Sequence, residues 1–225
     1  ILVHSVTAWI FGLEIAKEGW YSAIMAPIFV ASACDSGLAL LMVVLAAVRK
    51  AGVFDCGREL FANLARLLAT FIAVDAFFIG CELLTTAYPG TEGASHVLGI
   101  MTSGATAPFF WFEILGGLLI PFVLLASAKR RERTGLVVAA SALVMCGVFC
   151  KRVWLLFTSF TVTNVYGAPG ISSGSTAARG ADGFDMWALA GSYMPQPVEF
   201  AVVAAVVSFC ILGIALLSKK LVTKA

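Results

Sequence analysis

AIMAPIFVASACDSGLALLMVVLAAV, residues 23–48, carries one ionisable side chain, Asp35, and runs straight into Arg49 and Lys50. A helix of about 20 mostly apolar residues, rising about 1.5 Å each, crosses the roughly 30 Å of a bilayer's hydrocarbon. This stretch exceeds that length, and Pro27 stands where a helix can start without losing a needed N–H. Outward from it the same pattern recurs at roughly 60–87, 108–127, 135–160 and 197–218, and the chain opens inside another apolar segment that ends near Phe11. Charged residues make up 12% of the 225 and hydrophobic ones 60%. Soluble domains carry about 25% charged residues, so the solvent implied here is lipid. A net charge of +2 gives no reason to expect nucleic acid as a partner. The expected fold is all-α: a polytopic transmembrane helix bundle, with about six helices in this chain.

Ile1 lies within the apolar segment ILVHSVTAWIFGL, with no positively charged stretch before it, so the segment does not read as a signal peptide. The expectation is a single transmembrane domain over 1–225, N-terminally incomplete. Lysine and arginine then orient the helices. Arg49, Lys50 and Arg58 flank one connection, Lys129, Arg130, Arg131 and Arg133 fill a second, and Lys219, Lys220 and Lys224 end the chain. The alternate connections, near 12–22, 88–107 and 161–196, hold only Lys17 and Arg179. By the positive-inside rule the first set, including the C-terminus, is cytoplasmic. The connections 88–107 and 161–196 are rich in Gly, Ser, Thr and Ala and read as functional or partner-binding loops. Trp20, Tyr21, Trp187 and Tyr193 read as an interfacial aromatic belt.

Charges near the middle of a membrane helix cost roughly 2.5–3.5 kcal/mol each, so each asks for a reason. The candidates are His4, Asp35, Asp75, Glu82, Glu113, Lys151, Arg152 and Glu199. His4 and Asp35 fall about 12 Å below the same surface on consecutive helices, where they can face one pocket. Oxidising a quinol releases protons, which imidazole and carboxylate are suited to accept. The alternative is that the two only bond each other and hold their helices together. Asp75 and Glu82 lie two turns apart on one face. Lys151 and Arg152 supply the cations of another helix, and a buried acid is the natural partner for Arg152. These groups read either as a proton path or as a structural ion pair. Glu113 and Glu199 follow Pro108 and Pro197 within the first turns of helices, where the dipole favours an anion. Gly116 and Gly117 would admit a neighbouring backbone, Arg58 and Arg66 would snorkel, and His96 reads as a solvated loop residue.

Six cysteines, Cys34, Cys56, Cys81, Cys146, Cys150 and Cys210, form no CxxC pair, and no histidine completes a metal site beside Cys146 and Cys150. They read as small buried apolar residues. Two histidines, one in a loop, cannot furnish paired haem ligands, and no cysteine spacing suits a cluster. The expectation is no haem, no iron–sulfur cluster and no metal bound by this chain.

The strings HSVTAWIFGL (4–13), GWYSAIMAPIFVASACDSGLALL (19–41), FFWFEILGGLLIPFVLL (109–125) and YMPQPVEFAVVAAVVSF (193–209) resemble the NrfD/PsrC family of polysulfide-reductase-like membrane subunits, with DsrP-like and QrcD-like members most similar. The resemblance implies a bundle of eight or more helices, of which this chain holds roughly the last six. It also implies menaquinone or ubiquinone binding near the outer face. Electrons would pass to or from a ferredoxin-like iron–sulfur subunit there, linked onward to molybdopterin or cytochrome subunits. It places the quinone at His4 and Asp35 and proton conduction at acids matching Asp75, Glu82 and Glu113. The expected function is a quinone- or quinol-reactive subunit of a respiratory oxidoreductase, incomplete as an enzyme alone. Two other classes stay open: a proton or ion transporter, and a purely structural membrane anchor.

Overall fold

The computed structural model describes residues 2–15, 17, 19–52, 57–160 and 196–222. Helix is the regular structure found among them: α1 (Leu2–Gly12), α2 (Met25–Lys50), α3 (Arg58–Ala87), α4 (Glu92–Ser103), α5 (Ala107–Trp111), a π-helical segment (Phe112–Leu119), α6 (Ile120–Ala126), α7 (Ala128–Arg131), α8 (Thr134–Phe160) and α9 (Pro197–Val222). Five stretches are long and apolar enough to cross a membrane: Met25–Lys50, Arg58–Ala87, Ala107–Ala126, Thr134–Ser159 and Pro197–Leu217. They fall within a few residues of the five full spans read from the sequence. The exposed large hydrophobics, among them Phe77, Leu84, Leu115, Leu119 and Phe149, face outward along these helices, as side chains in lipid do. The chain is a multi-pass membrane protein.

α2, α3, α8 and the broken span from α5 to α6 pack together, with α1 against α2. Two apolar layers result. Toward the basic end, Ala39 and Met42 of α2, Phe61, Leu68 and Ile72 of α3, Leu118 and Leu125, and Val137, Ala140 and Val144 of α8 form one core. Toward the far end, Ala8, Met25, Phe29, Met101, Phe110, Trp154 and Leu155 form the other. The span 107–126 changes pitch between them. Pro121 has no N–H to give the Gly117 carbonyl, so α-helical bonding cannot run unbroken through this point. The turns widen instead to i→i+5 bonding, closed by the Ile120 N–H on the Leu115 carbonyl. Gly117 then meets Gly147 of α8 backbone to backbone: a Cβ on Gly117 would lie 2.6 Å from the Gly147 Cα. The close approach expected at Gly116 and Gly117 therefore occurs at Gly117, while Gly116 faces its own Phe112 ring.

Three expectations change. Residues 92–103 are helix, not loop. Thr91 caps α4 by accepting from the Ala94 N–H at 3.3 Å, and Ala94, Val97 and Met101 bury one face against α3, α5 and α8. At 12 residues α4 is too short to span, and the small residues that resemble a loop lie between the Ala94, Val97 and Met101 of its contact face. His96 is exposed on this helix. The cysteines differ as well: none of the five described ones is fully buried, and Cys146 and Cys210 are exposed, because apolar residues of a membrane bundle face lipid as readily as core. Trp20 is buried, and its indole donates to the Leu155 carbonyl at 3.0 Å. It anchors the connection before α2 onto α8, while Tyr21 stays exposed. Trp187 and Tyr193 lie outside the described residues, as does most of 161–196.

Candidate functional site

Between the two apolar layers lies a layer of charge. Asp75 of α3, Glu113 of the π segment, Lys151 of α8 and Asp35 of α2 are each at most 1% exposed. Lys151 and Trp154 stand three residues apart on one face of α8 and converge on Glu113. The Lys151 ammonium donates to Asp75 Oδ1 at 2.9 Å and Oδ2 at 3.0 Å, and its Nζ lies 3.5 Å from Glu113 Oε1. The Trp154 indole donates to Glu113 Oε2, and its ring meets Phe110 edge-on at 5.6 Å. One cation thus holds two carboxylates from two other helices. In a medium that cannot solvate ions, such mutual pairing is what makes the three charges tolerable.

Arg152, the next residue, points around α8 toward α2. Its Nη2 donates to Ser32 Oγ at 3.2 Å, and its guanidinium lies over the Phe29 ring, 3.8 Å from the centroid. The acid expected opposite Arg152 is therefore bound by Lys151 instead. A helix turns about 100° per residue, so neighbours on α8 address different helices. Asp35 follows Ser32 by one turn of α2. Both its oxygens, together with Arg152 Nη1 and Glu113 Oε1, are buried without a hydrogen-bond partner among the described residues. Orphaned buried polar atoms are rare, and Asp35, with both oxygens unpartnered, is the one that most asks for a hydrogen-bonding partner.

The remaining expected residues divide by position. His4 is exposed on α1. It stands eight residues before the end of α1, and Asp35 ten residues after the start of α2, so they lie at about 12 and 15 Å from the helix ends that meet. Since Asp35 has no hydrogen-bond partner among the described residues, which include His4, the two side chains are not bonded to each other. Glu82 sits two turns beyond Asp75, half-buried, and accepts from the Ser22 hydroxyl at 2.5 Å. It also lines a cavity of about 50 Å³ with Thr86, Lys151 and Trp154 among apolar neighbours from α2, α3, α4 and α8. Glu199 is exposed in the first turn of α9. The residues the sequence reading passes over are Trp154, Ser32 and Ser22. For Trp154 a signal exists: a mid-membrane indole N–H needs an acceptor, and it lies one turn from Lys151.

Fold and site together define a polytopic helix bundle with an ion network sealed in its membrane interior. The chain belongs to the polysulphide reductase NrfD family, whose model matches residues 1–164. It is 34% identical over 209 residues to a putative dimethyl sulfoxide reductase membrane subunit of Halobacterium salinarum, covering 92% of this chain and 47% of that protein. It is 29% identical to a selenate reductase subunit of Mesobacillus selenatarsenatis, over 79% of this chain and 40% of the relative. The Hdr-like menaquinol oxidoreductase integral membrane subunit of Archaeoglobus fulgidus is 27% identical, over 69% and 40%. The chain spans half or less of the length of these relatives.

Proposed function

We propose that this chain is part of the quinone- or quinol-reactive membrane subunit of a respiratory oxidoreductase complex. The observation that carries the reading is Asp35: a carboxylate fully buried in the membrane, both oxygens without a partner among the described residues, one helical turn from the Ser32 that Arg152 binds. Menaquinone, or ubiquinone, supplies two-electron chemistry coupled to protons. In this reading His4, open on α1, meets the headgroup, and Asp35 at comparable depth takes up a proton. Arg152, held by Ser32 and Phe29, stabilises the Asp35 carboxylate before it takes up the proton and after it releases it. Asp75, Glu113 and Lys151 pass protons onward, with Glu82 at the far end, which leaves room for proton translocation. The names of the relatives, reductase membrane subunits and a menaquinol oxidoreductase subunit, support the same reading.

Electrons pass to or from a ferredoxin-like iron–sulfur subunit on the outer face, with molybdopterin or cytochrome subunits beyond it. Residues 1–225 form one domain of the cytoplasmic membrane with the C-terminus inside. The test uses the intact complex. His4→Ala and Asp35→Asn should each abolish menaquinol-dependent electron transfer while the partner subunits still co-purify. Unchanged turnover in both variants would remove the pair from the reaction. Lost co-purification in both, with quinol chemistry intact in whatever complex assembles, would mark the chain as an anchor.

A further inference from the structure

Glu82 has a place in the structure that the buried network does not by itself require. It lies seven residues from Asp75, about 10 Å along α3, so it is out of reach of the Lys151–Asp75 pair. The cavity of about 50 Å³ touches both Glu82 and Lys151, with Thr86 and mostly apolar residues in the rest of its wall. A water needs roughly 10–15 Å³ of such space and two or more polar partners, so the cavity suits a few waters in a row. On its other side Glu82 accepts from Ser22 at 2.5 Å. Ser22 also lines a separate hollow, open at the far end, with Trp9, Gly12, Leu13 and Tyr21. Open hollow, hydroxyl, carboxylate, a cavity touched by Glu82, Thr86 and Lys151 in a mostly apolar wall, and ammonium thus follow one another.

We propose that Ser22 and Glu82 form the proton-exchange route between the far surface of the protein and the buried Lys151–Asp75–Glu113 network, with a short water chain in the cavity completing it. The chemistry moves protons alone. A hydroxyl both donates and accepts, so Ser22 gives its proton to Glu82 as it takes another from the hollow, and ends unchanged. Glu82 then releases a proton to the cavity, where water hands it to the network. No other bond is made or broken, and every step runs equally in reverse. The inference rests on the proton-handling part of the function proposed above and is independent of where a quinone binds.

The test follows protonation of the carboxyl groups by infrared spectroscopy after a pH jump, on purified full-length protein in nanodiscs, with no quinone and no electron donor. Glu82→Gln and Ser22→Ala should each slow protonation of the interior carboxyls by about a hundredfold, a usual loss when a positioned proton-transfer group is removed. Glu92→Gln, exposed on α4, should leave the rate unchanged. Leu98→Trp, which fills the cavity and keeps both Ser22 and Glu82, should slow it as well and stands in if Glu82→Gln fails to fold. An unchanged rate in Glu82→Gln, or in Leu98→Trp where that variant stands in, overturns the proposal, as does equal slowing by Glu92→Gln. Lost quinol activity in His4→Ala does not bear on this result, so the two readings fail separately.

Discussion

Replacing Lys151 with methionine removes the one cation that binds two buried acids. Charges 2.9 and 3.5 Å apart attract by about 6 and about 5 kcal/mol at an effective dielectric near 20, before the loss of hydration is set against them. Methionine matches the length of the stem and leaves no cavity, so the change isolates the charge. Asp75 loses both its hydrogen bonds and Glu113 keeps only the indole. Breaking a buried pair from one side costs about 3–5 kcal/mol, which for a chain of this size lowers the unfolding midpoint by about 6–20 °C. Thermal unfolding of the purified protein in a fixed detergent reads this directly. The partner substitution completes the cycle: Asp75→Asn in the Lys151→Met background removes a stranded charge and should restore at least half of the lost midpoint. A Lys151→Met protein that unfolds with the wild-type midpoint, or a double variant worse than the sum of its parts, would refute the idea that mutual pairing makes this charge layer tolerable.

Gly117→Ala or Gly147→Ala pushes a methyl group within 2.6 Å of the facing Cα and should destabilise the bundle by about 1–3 kcal/mol, whereas Gly116→Ala, 3.3 Å from a flexible Phe112 ring, should cost less. The ordering of thermal midpoints checks it. Trp154→Phe keeps the aromatic contact with Phe110 but leaves Glu113 Oε2 without its donor, a loss of about 1–3 kcal/mol. The same midpoint measures it, and Lys151→Met combined with Trp154→Phe should be less than additive because both act on Glu113.

Membrane spans are legible in this sequence because length and hydropathy suffice to define them, and the basic residues that end α2 and fill the turn before α8 need no tertiary knowledge. Lys151, Asp75 and Glu113 are legible as buried charges for the same reason. Which charge meets which is not. Lys151 and Arg152 are adjacent, and only the rotation of α8 in its packed position decides that one reaches α3 and the other α2. α4 escapes a reading by composition because its contact face is built from Ala94, Val97 and Met101 among glycines and serines, a mixture shared with loops. The π segment is hidden for another reason: Pro121 announces a break, but whether a helix kinks or widens depends on the Gly117–Gly147 approach across to α8.

The widened turn has a consequence for how the chain tolerates length changes. Between Phe112 and Leu119 the helix holds more residues per turn than its flanks. The wider turn takes up about one extra residue, so excising a single amino acid there would let the segment relax into ordinary α-helix while its flanks keep nearly the same facing. The same excision in the regular helix α8 would swivel everything before it by about 100°. An excision in α8 between Gly147 and Lys151 would turn either Lys151 away from Asp75 and Glu113 or Gly147 away from Gly117, although no charged residue had been touched. The geometry of the ion layer is thus written partly in the number of residues, and a one-codon deletion in an uncharged stretch would undo it as surely as a charge swap.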